Sequence, residues 1–164
     1  MNTPQTKPSQ PLRFALLATL FLLLGFSARA ATYYVQTAAN GGSDAAGRTG
    51  SITQPWLTVA YAASQVTTAG NTISIGQGTF AESTYINLAA GVSLSGQGYN
   101  KTIITTTATS GLNTVEYLVK MHSASIVSGN QNISYIRFDG KNKIVRQAIE
   151  INRRSDVTIN SILV

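Results

Sequence analysis

The side chains able to do chemistry are few, and their spacing gathers only some of them. Asp139-Gly140-Lys141-Asn142-Lys143 with Arg146 is the one concentration of charge, and Arg153-Arg154 follows it. Asp139, Lys141, Lys143, Arg153 and Arg154 are therefore the candidate ligand-binding residues. A guanidinium fork matches a carboxylate through paired hydrogen bonds and an ammonium adds a point charge, so the group suits an acidic ligand. A solvated turn is the competing reading of the same residues.

A metal centre is not expected. His122 is the single histidine, cysteine is absent, and the acids Asp44, Glu82, Glu116, Asp139, Glu150 and Asp156 are scattered, whereas calcium needs several converging oxygens. Asp44 in Gly41-Gly42-Ser43-Asp44 reads as an Asx-type turn, and His122 as a residue leaving its strand for a turn. Gly76-Gln77-Gly78 and Gly96-Gln97-Gly98 lead into no helix and no Gly-Lys-Ser/Thr, so they are turns and not phosphate cradles. Asn100-Lys101-Thr102 and Asn132-Ile133-Ser134 match the glycosylation sequon, and Asn132 is expected to be a turn residue ahead of its strand.

The elements that must position these residues follow from composition. The 164 residues are 43% hydrophobic and 11% charged, well below the roughly 25% charge of an average domain, which excludes a coiled coil and a charge-rich disordered chain. Without cysteine, a disulfide scaffold, a thiolate zinc site and a cysteine nucleophile are also excluded. The net charge of +6 includes Lys7, Arg13 and Arg29. Those three lie in a segment with a basic polar start, an apolar run Phe14 to Phe26 and the small residues Ala28-Arg29-Ala30, the pattern of a secretory signal peptide. The run is too short to span a bilayer. Cleavage after Ala30 leaves nine Lys/Arg against six Asp/Glu, so nucleic acid is not an expected partner. Residues 1–30 are thus a signal peptide, and the remainder is expected to be secreted, at the cell surface or periplasmic.

After Ala30 the chain holds 14 Ile, 10 Val and 17 Thr against 6 Leu, a β-branched excess that favours strands. Strands are expected at Thr32 to Val35, Thr72 to Ile75, Tyr85 to Leu88, Val92 to Ser95, Thr102 to Thr105, Leu118 to Met121, Ile133 to Phe138, Ala148 to Ile151 and Val157 to Ile162. One short amphipathic helix is expected over Pro55 to Val66, with Trp56 and Tyr61 as packing anchors. The apolar pairs Ile73/Ile75, Val92/Leu94, Val119/Met121 and Ile149/Ile151 recur as in a solenoid. Stacking them in one parallel sheet predicts Ile73, Val92, Val119 and Ile149 as an interior column and Ser74, Ser93, Lys120 and Glu150 as an exterior one. Lys120 and Glu150 would then be a neighbouring ion pair.

Tyr33-Tyr34-Val35, Gly42-Ser43-Asp44, Gln54 to Ala62, Thr72 to Ile75, Gly78-Thr79-Phe80, Gly91 to Gly98 and Thr102-Ile103-Ile104 together resemble the opening of secreted right-handed parallel β-helix proteins of the pectin-lyase-like superfamily. The resemblance implies an all-β fold, a right-handed parallel β-helix solenoid with a short N-terminal capping helix. Residues 31–70 would form the cap and residues 71–164 the first coils. It also implies a protein that binds or degrades polysaccharide, in the manner of a polysaccharide lyase or a glycoside hydrolase. Lyases of this kind use a Lys or Arg base on a uronate, often with Ca²⁺, so Ca²⁺ is implied for the full-length protein although none is evident in this chain. Such a base needs a depressed pKa. Hydrolysis needs two carboxylates about 5 to 9.5 Å apart, for which Glu150 with Asp139 or Asp156 is the one pairing on offer. No catalytic residue is assigned. Because the sequence stops on an apolar strand, an N-terminal portion of a longer protein is expected, with catalytic residues beyond Val164 and self-association through the open last coil. The alternative is a non-catalytic surface or adhesive β-helix protein.

Overall fold

The computed structural model describes residues 30–107, 117–141 and 145–164; residues 1–29 of the expected signal peptide 1–30, and Lys143, lie outside them. Nine strands and one α-helix follow in the order β1 (Thr32–Val35), α1 (Val59–Gln65), β2 (Thr72–Ile75), β3 (Gly78–Glu82), β4 (Ile86–Asn87), β5 (Ser93–Ser95), β6 (Thr102–Thr106), β7 (Tyr117–Ser134), β8 (Arg137–Asp139) and β9 (Gln147–Asn160). The protein is mostly β, and every strand pairing among the described residues is parallel.

The pairings group the strands into three faces. The first face stacks β1, β2, β5, the end of β7 and the end of β9. The second stacks β3, β6 and β8, extended by a bridge from Arg137 to Leu163. The third stacks β4 on the start of β7, and that on the start of β9. β7 and β9 each run from the third face onto the first, with their register slipping between His122 and Val127 and between Ser128 and Gln131.

This differs from the expected single column. Ile73 stands beside Leu94, which stands beside Ile133, which stands beside Ile159. Val119 belongs to another column, with Ile86 and Ile149, and Val92 precedes β5. Two-residue alternation says which side of a strand faces inward, not which face the strand occupies, so strands of different faces were stacked together. A third column, Phe80, Ile104 and Phe138, fills the second face. The three columns meet in one core, with Ile73, Leu94, Ile104, Val119 and Ile133 wholly buried.

Other boundaries moved for local reasons. The expected strand Ile133 to Phe138 is broken at Tyr135, whose φ is +60°, and Asn132 lies inside β7 opposite Thr158. The helix is shorter than expected. Thr58 caps it, accepting from Tyr61 N at 3.2 Å, while Trp56 is held extended by a bridge to Val35. Trp56 is an anchor as expected: it stacks on Tyr33 at 5.6 Å, meets Tyr61 edge-on at 6.0 Å, and donates from Nε1 to Arg48 O. Gly50 makes this possible, since a Cβ there would stand 2.5 Å from the indole and its φ is +69°. α1 packs along the flank of β4, β1, β2 and β3. At the far side, Ile151, Ile159 and Leu163 are each about two-fifths exposed, at 43%, 38% and 45%.

Candidate functional site

Of the expected charged group, the structure places Asp139 and Lys141 at the end of β8 and Arg153 and Arg154 on β9. Asp139 ends β8 on the second face. It accepts from Arg137 Nη2 at 3.2 Å and from Lys141 N at 2.9 Å, so its oxygens close their own turn. Lys141, with φ +46°, takes the turn conformation. Arg153 and Arg154 lie at a different corner, where β9 passes from the third face to the first. Arg153 donates to Ala124 O at 2.7 Å. Arg154 donates to Leu88 O (2.6 Å), His122 O (2.8 Å), Ser123 Oγ (3.0 Å) and Gln131 Oε1 (3.1 Å). Its donors are spent on the corners of earlier circuits, and burial draws the guanidinium below its ordinary pKa.

The carboxylates stand on different parts of the fold: Asp139 ends β8 on the second face, Glu150 lies on the third, and Asp156, with φ +53°, sits where β9 turns onto the first. Asp156 accepts from Ser128 Oγ at 2.6 Å and Ser155 Oγ at 3.1 Å, which lowers its pKa. Asp44 is not a local turn: Oδ1 accepts from Leu57 N at 2.8 Å and Oδ2 from Thr58 Oγ1 at 2.7 Å. Glu82, 1% exposed, completes that arrangement by accepting from Val59 N at 2.9 Å and Ala60 N at 3.0 Å. Glu82 thus satisfies the first two N–H groups of α1, which have no partners within the helix, while Asp44 holds Leu57 and the capping Thr58 just before it. Burial holds the Glu82 carboxyl above its ordinary pKa, opposed by those two N–H donors, and the charge of Asp44 adds to the rise. Among the described residues no three His, Asp or Glu converge on a metal position.

The chemistry instead collects on the outer side of the third face. Val119 and Met121 point inward and are fully buried, so Lys120 and His122 between them point outward. Lys120 stands opposite Asn87 on one side and Glu150 on the other, as expected for Lys120 and Glu150. The expected ion pair is not made, however. Glu150 Oε2 lies 2.9 Å from His122 Nε2, at an angle that makes no hydrogen bond, and neither atom has a hydrogen-bond partner elsewhere. Lys120 Nζ sits over the rings of Tyr85 and Tyr117, 5.1 and 5.7 Å from their centres. The two rings meet edge to face at 5.7 Å, and Tyr117 also touches His122 at 6.0 Å.

Beside this group runs a groove of about 870 Å³ between α1 and the third face, with Tyr61 and Ser64 on the helix wall, Tyr85, Asn87 and His122 opposite, and Arg154 among the lining residues. Its lining offers aromatic faces for the C–H side of a sugar ring, and amide, hydroxyl and imidazole groups for hydroxyls. Sequence reasoning missed Tyr85, Tyr117 and His122 as members of a site. The available signal was the outward alternation Lys120–His122 one rung from Glu150; nothing in the spacing announces Tyr85, which comes from the previous circuit.

No family model matches the chain, and no curated protein matches it. Among solved structures it is similar to pectin methylesterase PemA from Erwinia chrysanthemi, at 14% identity and a TM-score of 0.45. The match covers 80% of this chain and 44% of that one, so the chain spans less than half the length of that structure.

Proposed function

We propose that this chain forms the opening coils of an exported right-handed parallel β-helix that engages acidic polysaccharide along the third face and its groove. Residues 31–70, with α1, act as the cap, and residues 71–164 as the coils. The right hand follows from the strong bias of parallel crossovers. Export follows from the N-terminal pattern of basic, apolar and small residues. The observation that carries the ligand reading is the co-location of Tyr85, Tyr117 and an ammonium beside an open groove of about 870 Å³. Stacking rings next to a cation suit a polymer of uronic acids.

The test is direct. The full chain is mixed with pectate, alginate and chondroitin, and binding is followed by calorimetry, with ultraviolet absorbance reporting unsaturated ends. Binding without new absorbance supports an attachment role for these coils, and new absorbance supports lyase activity. Absence of binding to all three polymers refutes the reading.

A further inference from the structure

We infer that Lys120 is the residue that reads a single uronate carboxylate, in a subsite whose walls are Tyr85 and Tyr117; this rests on the acidic-polysaccharide reading above. The ammonium has three donors. Among the described residues no carboxylate lies within ion-pair reach of it, and its contacts are the two tyrosine ring faces, at 5.1 and 5.7 Å. An aromatic face attracts the charge without accepting a directed hydrogen bond in the manner of a carboxylate, so the donors remain available to a ligand. The rings also shield one side of the ammonium from water, which strengthens its attraction for an anion on the open side.

The charge stays available because of what Glu150 does. As the rung partner of Lys120, about 4.8 Å away along the sheet, Glu150 is placed to neutralise it. Its Oε2 is turned instead to His122 Nε2, at 2.9 Å. His122 is therefore a positioning residue: its contact keeps the Glu150 carboxylate off the lysine. The backbone that carries it is fixed by Arg154, whose Nη2 donates to His122 O at 2.8 Å. On the opposite flank Asn87, exposed and also in register with Lys120, offers an amide to the hydroxyls of the same sugar. A uronate seated here would lay its C–H face on a tyrosine ring, place its carboxylate on Nζ and meet Asn87 with a hydroxyl. A neutral sugar would keep the stacking and lose the charged contact.

The test uses the full chain, oligogalacturonate as probe, and the same oligosaccharide with its carboxyl groups reduced to alcohols as the neutral control. Wild type should bind the acid form more tightly than the neutral form. Lys120→Met should weaken acid binding about ten- to a hundred-fold, the range of one charge-assisted hydrogen bond, and leave neutral binding unchanged, while Lys120→Arg keeps most of the affinity. His122→Leu should weaken acid binding by releasing Glu150 onto Lys120, and adding Glu150→Gln should restore it. That recovery is not expected of a merely structural histidine. Equal binding of acid by Lys120→Met and wild type overturns the subsite while the polysaccharide reading stands. Equal binding of acid and neutral probes by wild type overturns carboxylate reading and leaves glycan binding. No binding of either probe by wild type overturns both proposals.

Discussion

Replacing Glu82 by Gln preserves the shape of the side chain and removes one of the two acceptors that face the start of α1. One oxygen remains for Val59 N or Ala60 N, and the new amide donor meets the other N–H at a position 1% exposed. A buried N–H without a partner costs about 1–3 kcal/mol, and a charge-assisted bond exchanged for a neutral one costs about 1 kcal/mol more. Against the ionised carboxylate the loss is thus about 2–4 kcal/mol before the cost of burying the charge is counted, whereas the protonated acid, with one acceptor and one O–H donor, matches the amide closely. The buried charge works in the opposite direction, because burial outweighs the N–H donors and leaves the folded pKa raised. As pH rises, the unfolded chain releases the Glu82 proton first, and the folded chain binds more protons until its own higher pKa is passed. The contribution of Glu82 to stability is therefore full below the ordinary value of 4.5 and falls as pH rises through the folded value. The Gln variant, which does not titrate, should nearly match the wild type at acid pH and gain on it as pH rises. Urea unfolding of both proteins between about pH 4 and pH 8, compared by difference so that other groups cancel, measures this. A Gln variant that instead loses ground to the wild type as pH rises would show that the donors outweigh burial and refute the reasoning.

Four further substitutions test other contacts. Arg154→Met removes four hydrogen bonds at the corner between the third and first faces and should cost about 2–4 kcal/mol in urea unfolding. Arg153→Met, which loses one exposed bond to Ala124 O, should change stability by less than about 1 kcal/mol. Thr102→Val, nearly isosteric at a wholly buried position, removes the hydroxyl that donates to Gly76 O at 2.9 Å and accepts from Gln97 N at 2.9 Å; the expected loss is about 1–3 kcal/mol, read from the denaturation midpoint. Gly50→Ala should lower the melting temperature and red-shift Trp56 fluorescence, since the methyl would press on the indole from a backbone with φ +69°; strain there is about 1–3 kcal/mol.

The class of fold was legible because burial of Ile73, Leu94 and Ile133 against outward Ser93 and Asn132 leaves a two-residue signature that no helix shares. The assignment of strands to faces was not. Ile86–Asn87 falls within the expected strand Tyr85 to Leu88 but has no place in the expected column, and the breaks expected inside β7 and β9 do not occur. The chain turns those corners with Asn130, Arg153 and Asp156 at positive φ instead of glycine, so the usual punctuation is missing. For the candidate site, the adjacency of Lys120 and Glu150 was readable from alternation, but their pairing was not. His122 two residues on competes for the carboxylate, and Tyr85 arrives from a different circuit. The arginines looked like ligands because charge in a sequence carries no sign of whether backbone carbonyls will claim it.

β7 and β9 each pass from one face to the next without ending, in step with each other apart from two local slips. The slips are of three residues and one, so β7 spends four more residues on that corner than β9, and the even sum lets Ile133 keep the inward phase of Met121. A corner of this architecture can therefore lengthen without unseating the strands on either side, provided the additions sum to an even number.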